Sequence, residues 1–255
     1  FRPRSSLYLG CIAMTDKCRQ ATWLSRIADS ILPRACPCCG RALAVTDTGI
    51  CLPCLLRLPR NDLRIDSPGL EQMLGSTGIP KGPLRSWFRY THTDNSSKII
   101  RTAKYADRPD LARCMGRLFG SELAAAGVGP DAPSPSAIDL LLPVPLHWTK
   151  WLRRGYNQSA EICRGIAEAL QCDTGNALVA TRAHATQTHR DRNQRRMNVA
   201  GRFTIDNPSQ LEGRHIAIVD DVITTGATMA ECAAEIRRCG ANPASLGILS
   251  IGLTF

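Results

Sequence analysis

The sequence predicts an α/β protein, a doubly wound parallel sheet flanked by helices, carried behind a small cysteine-rich metal module. Three observations lead there. Mostly apolar runs at 138–142, 216–219 and 246–251, interrupted only by Asp139 and Ser250, read as strands, the first two as buried on both faces. Amphipathic helices alternate with them: 159–170 through Ile162, Ile166 and Leu170, and 226–239 through Met229, Cys232, Ala233 and Ile236, closed by Gly240. Two C-x-x-C pairs stand in tandem ahead of all of these.

The earlier elements follow in order. Residues 1–33 read as an extension ending in a helix over 18–32. Trp23, Leu24, Ile27, Ala28, Ile31 and Leu32 share one face of that helix, and Pro33 stops it. The first apolar run is broken by Gly10 and Cys11 and does not read as a secretory signal, so Met14 is the expected start. The metal module occupies 34–58. Residues 59–83, rich in Pro, Gly and Ser, read as a linker. A domain over 84–255 then begins with a strand at 84–90 and a basic helix at 96–106. A helix at 110–126 carries Leu111, Cys114, Met115, Leu118 and Phe119 on one face, and the Pro/Gly-rich stretch 127–137 is a loop.

Composition narrows the classes. A 44% hydrophobic content is ordinary for a globular core, and no apolar run reaches the 18 residues of a membrane span. Lys and Arg total 32 against 22 Asp and Glu, a net charge of +10 that favours an anionic ligand or partner. Twelve cysteines in so long a chain, with no export signal, point to metal binding and core packing in a cytoplasmic protein, not to a disulfide scaffold.

The segment that speaks most directly to function is HIAIVDDVITTGATM, residues 215–229. A buried strand delivers Asp220 and Asp221 at its carboxyl end, the edge where open parallel sheets bind ligands. Thr224, Thr225, Gly226, Ala227 and Thr228 then open a helix. Small residues there let backbone N–H groups converge beside the positive helix terminus, making a phosphate site. Two carboxylates beside a bare phosphate repel it, but a sugar phosphate can donate its hydroxyls to the acids. The plainer alternative is a strand ending in two solvated acids before a capped helix. The segment resembles the fingerprint with which type I phosphoribosyltransferases bind 5-phosphoribosyl-1-pyrophosphate (PRPP). That resemblance implies that Asp220 and Asp221 hold the ribose hydroxyls at the catalytic centre, that residues 224–228 hold the 5′-phosphate, and that Mg²⁺ accompanies PRPP.

Two more segments suit the same site. PVPLHWTKWLRRGYNQS, residues 143–159, interleaves cations with aromatic residues. Its position after a strand corresponds, by the same resemblance, to the loop that cups pyrophosphate. Arg153 and Arg154 are its candidate contacts, to pyrophosphate or to a nucleic-acid phosphate. Trp148 and Trp151 either stack on a ligand or cover the core. RAHATQTHRDRNQRRMNVAGRF, residues 182–203, has no apolar period and carries Arg190, Arg192, Arg195 and Arg196. It reads as a lid that excludes water, as a clamp on a nucleic-acid backbone, or as a solvated loop.

In the module, Cys36/Cys39 and Cys51/Cys54 form the two pairs, eleven residues apart. Two such turns complete a tetrahedral S₄ site for Zn²⁺ with no open position, which makes the metal structural. Cys38, inside the first pair, is read as a non-ligand, with its exchange for Cys36 or Cys39 left open.

The N-terminal helix, the paired C-x-x-C, PVP…RRGYNQ, QTHRDRNQRRMNV and VDDVITTGATM occur in this order, and together they resemble the ComF family of competence-associated, phosphoribosyltransferase-like proteins. The resemblance runs from about Trp23 to Ile251. It implies a cytoplasmic role with incoming single-stranded DNA in natural transformation, and a DNA-uptake helicase as partner. A working phosphoribosyltransferase acting on a base or amine is the competing reading.

Overall fold

The computed structural model describes residues 35–43, 49–106, 108–146, 152, 154–181 and 202–254. The expected helix at 18–32, nearly all of the 182–203 segment, and Trp148, Trp151, Arg153, Arg190, Arg192, Arg195 and Arg196 lie outside them.

A short helix α1 (Leu52–Leu56) belongs to the cysteine module and is followed by α2 (Pro68–Thr77). Then come β1 (Lys81–Arg89), α3 (Asn95–Tyr105), α4 (Pro109–Ala125), β2 (Leu140–Pro143), α5 (Gln158–Leu170) and β3 (Asp173–Thr174). The short strands β4 (Leu178–Ala180) and β5 (Phe203–Ile205) form an antiparallel pair apart from the main sheet. Finally β6 (His215–Ile223), α6 (Ala227–Arg238) and β7 (Ser245–Leu253) complete the chain.

The main sheet has the order β1-β7-β6-β2-β3, and every pairing in it is parallel. This is the predicted parallel sheet flanked by helices. From β2 the chain moves outward to β3, then returns to lay β6 on the other side of β2 and β7 beyond it. The order therefore reverses between β2 and β6, and it is beyond the carboxyl ends of the strands at such a reversal that open parallel sheets bind ligands.

Both faces are covered, as the mostly apolar strands require. On one face α3, α4 and α5 bring Ile99, Leu111, Phe119, Ile162 and Ile166 onto Val219 and Ile251. On the other, α2, α6 and the β4–β5 pair bring Leu70, Met229, Ile236 and Phe203 onto Ile218 and Ile248. The α4–α5 crossing is tight because glycines line it. A Cβ on Gly165 would lie 2.7 Å from Arg117 N, and one on Gly120 would lie 2.8 Å from Ala169 Cβ. Close packing of α5 fixes the level at which its first residues meet β6.

Two readings need correction. The 59–83 linker contains α2, a ten-residue helix with Pro68 at its start. The Ser67 side chain accepts the Leu70 N–H as N-cap, and Gly78 ends the helix at φ 69°. Composition concealed these caps, and Leu70 and Leu74 are buried. The second correction is to the strand expected over 216–219. It continues to Ile223, because Asp220 and Val222 stay in register with Ser250 and Gly252 of β7.

Candidate functional site

Because β6 runs on to Ile223, Asp220 and Asp221 are held by strand geometry in its carboxyl-terminal half, beside the reversal of strand order. Asp220 Oδ1 accepts the Ser159 hydroxyl at 2.9 Å and the Asp221 N–H at 2.8 Å. Asp221 Oδ2 faces Lys104 Nζ at 2.9 Å, with the two side chains 12% and 22% exposed. Burial first, and the neighbouring Asp221 charge second, push the Asp220 carboxyl up to about 7, against the Asp221 N–H, Ser159 and Lys104. The pair is thus one carboxylate neutralised by a lysine and one poised to carry a proton near neutrality.

Ser159 and Lys104 were not singled out in the sequence. Ser159 ends the 143–159 segment, and as the second residue of α5 it points back at the strand. Lys104 had a readable signal: it stands four residues after buried Ile100, on the margin of the apolar face of α3.

The phosphate-loop candidates follow directly. Thr224 and Thr225 are exposed and Thr228 is partly buried. Gly226 caps α6 at φ 75°, ψ 0°, a conformation that favours glycine. It is doubly constrained, since a Cβ there would sit 2.6 Å from Leu70 Cδ2 of α2. Ala227 N lies 3.4 Å from Thr225 Oγ1, and no acidic side chain occupies the first turn of α6. The helix start is a concentration of backbone N–H groups suited to an anion.

The connection after β2 is tied down at its far end. Asn157 caps α5, accepting the Ser159 N–H at 3.1 Å and donating to Val144 O at 3.0 Å. Tyr156 donates its hydroxyl hydrogen to Ala103 O, and Gln158 donates to Lys104 O at 3.4 Å. Arg154 stacks on Tyr105, 5.1 Å from the ring centroid, and donates to Gln158 Oε1 at 3.1 Å and Tyr105 Oη at 3.3 Å. The G-Y-N-Q-S stretch therefore joins the end of α3, the end of β2 and Asp220.

In the module, the sulfurs of Cys36, Cys39, Cys51 and Cys54 all lie within 4.8 Å of one another. Gly40, at φ 73°, turns the first pair back so that its N–H reaches Cys36 O at 2.9 Å. Cys51 starts α1, and Cys54 N donates to Cys51 O at 3.0 Å. Cys38 lies outside the cluster, 3.9 Å from Asn95 O, and burial followed by the Cys36 charge pushes it up to about 12. Burial opposes ionisation of Cys36 as well, yet backbone N–H groups of Cys51, Cys39 and Cys38 bring it down to about 6. Burial and the adjoining thiols push Cys54 upward. Four thiols this close ionise together only around a cation, so the donor set fits one metal ion.

No family model matches the chain. The DNA utilization protein YhgH of Salmonella typhi is 32% identical over 219 residues, covering 82% of this chain and 93% of that protein. Competence protein F of Haemophilus influenzae is 31% identical over 147 residues, covering 56% of this chain and 62% of that protein. The chain belongs to the ComF family. YhgH of Escherichia coli strain K12, also 32% identical over 219 residues, is a further ComF-type relative.

Likeness to solved structures is partial. The B. subtilis glutamine PRPP amidotransferase gives a TM-score of 0.39 at 18% identity, over 59% of this chain and 30% of that one. The L. donovani hypoxanthine-guanine phosphoribosyltransferase gives 0.32 at 15%, over 61% and 71%. The fold of this ComF-family member is described by its own sheet order and register. Among the described residues no helix is long and apolar enough to cross a membrane.

Proposed function

We propose that this ComF-family protein binds PRPP at the carboxyl end of β6 and acts in the cytoplasm on single-stranded DNA during DNA uptake. One observation carries the PRPP part: a paired, partly buried diacid adjoins a glycine-capped helix start at the point where strand order reverses. Asp220 and Asp221 accept the ribose hydroxyls, and residues 224–228 take the 5′-phosphate on backbone N–H groups and threonine hydroxyls. Lys104 pairs with Asp221 Oδ2 at 2.9 Å and leaves its other oxygen to accept. Mg²⁺ neutralises the pyrophosphate when PRPP is bound, with Arg153 and Arg154 as further cations beside it. The DNA part is supported by the names of the relatives and by the net charge of +10.

Zn²⁺ fits the Cys36, Cys39, Cys51 and Cys54 cluster. With every position filled by a cysteine, its role is structural.

A phosphoribosyl transfer to a base or amine is the second reading. It is favoured by the Asp220 geometry, since a purely DNA-binding protein gains nothing from a poised, buried carboxyl. Filter binding of a single-stranded oligonucleotide, with and without PRPP, separates the two. Binding that responds to PRPP supports the DNA role. PRPP binding by calorimetry with no DNA retained on the filter leaves the transferase, to be tested by pyrophosphate release.

A further inference from the structure

The helix that sends Lys104 into the diacid presents a different stripe outward. Its buried side is Ser96, Ile99, Ile100 and Ala103, while Lys98, Arg101 and Tyr105 recur at helical spacing on the opposite, exposed side. Together with Pro37, Thr102 and Ala106 they line a groove of about 440 Å³ between α3 and the cysteine module.

The groove is cationic: among the described residues its lining carries Lys98 and Arg101 and no acid. There is no acidic residue in α3. Asp94, just before it, is committed to the Ser96 N–H at 2.8 Å as N-cap. Asp110 is engaged by both Nε and Nη2 of Arg108, at 2.8 and 2.7 Å. Arg101 has no hydrogen-bond or ionic partner among the described residues. Lys98 spends one donor on Cys38 O at 3.3 Å, which ties the two walls together and leaves its charge in solvent. The third member is aromatic. Tyr105 keeps 61% of its surface exposed although the Arg154 guanidinium lies over its ring and meets its hydroxyl.

An anionic backbone and flat unpaired bases are the attributes of a single strand, and the two cations and the exposed ring match them. We infer that the groove between α3 and the cysteine module is the single-stranded DNA track, with Lys98 and Arg101 on neighbouring phosphates and Tyr105 beneath a base. The inference rests on the DNA-handling reading and gives it a location. Lys98 to Tyr105 is seven residue steps, about 10 Å of helix, and Lys104 at its far end contacts Asp221, so the track leads to the diacid.

The test uses the full-length, metal-loaded chain and fluorescein-labelled oligothymidylate, read by anisotropy over a range of KCl concentrations. In Lys98→Ala with Arg101→Ala, affinity at low salt should fall tenfold or more. The slope of log affinity against log salt should shallow by about 1.4, at about 0.7 per lost phosphate contact. Tyr105→Ala should weaken binding by roughly 5- to 100-fold with the slope retained, and Tyr105→Phe should bind nearly as the wild type. Unchanged metal content and PRPP affinity in the double variant establish that it is folded. If the wild type binds and the double variant matches its affinity and slope, the track lies elsewhere and the DNA reading survives. If the wild type binds duplex as tightly as the single strand, the stacking role of Tyr105 is wrong and with it this track. Absence of binding by the wild type overturns both.

Discussion

Asp220 has a proton affinity that links the site to stability. An ordinary aspartate titrates at 3.8, whereas burial and the adjoining Asp221 charge hold the Asp220 proton up to about 7. Between those values the folded chain keeps a proton that the unfolded chain has released. The stabilisation from that proton is complete below about pH 4 and lost as pH rises through about 7. Urea midpoints of the PRPP-free protein should therefore decline between pH 4 and 7, and Asp220→Asn should flatten the decline; parallel profiles would refute the burial argument. For ligand binding, Asp220→Asn with Asp221→Asn replaces two carboxyl acceptors, and a hydrogen bond to an ionised carboxylate is worth about 1.5–3 kcal/mol. Calorimetry should show PRPP affinity lower by roughly two to four orders of magnitude, and unchanged affinity would remove these residues from the site. Both acids were legible in the sequence because strand, acids and glycine loop are contiguous. For Ser159 and Lys104 the sequence is silent on the partner: the place of Lys104 on the helix margin is readable, but each reaches the pair from a helix remote in sequence, and no local pattern encodes that meeting.

Elements show the same division between local and distant information. The cores of β6 and β7 are readable because a strand buried on both faces is mostly apolar, and α6 is readable from its apolar residues at helical spacing. The helix α2 was hidden by its Ser, Pro and Gly content, although Ser67, Pro68 and Gly78 are the residues that begin and end it. Its purpose becomes visible only when Leu70 is seen against Gly226. Gly226→Ala should cost roughly 1–2 kcal/mol for the left-handed backbone alone. Repeating the substitution in a Leu70→Ala background should recover the steric component and leave the backbone component, as read from urea unfolding. A non-additivity of zero would mean that α2 does not press on the loop. The cysteine module is similarly bound into its surroundings: Cys36, Ile50, Cys51, Leu55 and Leu58 share one buried cluster with Trp87, Ile99 and Leu111. Metal analysis should return one zinc per chain. Cys36→Ser or Cys51→Ser should release it and open residues 35–58 to protease, with the α/β core left cooperative but less stable. A zinc-free preparation in which 35–58 resists proteolysis would contradict the assignment.

For the molecule as a whole, the parallel sheet and its reversal of strand order set where the proposed PRPP site lies, and the net charge of +10 favours an anionic partner. The cations predicted from the sequence at Arg190, Arg192, Arg195 and Arg196 belong to the segment between β4 and β5, and Trp148 to the connection between β2 and α5. If these two segments add to the DNA contacts, their contributions differ in kind. Phosphate neutralisation depends on salt, so Arg190→Ala with Arg192→Ala should shallow the log–log salt slope by about 1.4 for a single strand. Stacking does not release counterions, so Trp148→Ala should weaken binding by roughly 1–3 kcal/mol and leave the slope unaltered. Duplex DNA, whose bases are already stacked, should bind less tightly and should respond little to the tryptophan substitution. Combined with the α3 variants, the arginine effects on slope should add, because the contacts fall on different phosphates. A slope that the arginine pair does not change leaves two readings of these residues, closure over PRPP and a solvated loop, and closure has its own test. The expected signature is then a loss of PRPP affinity in the same variant.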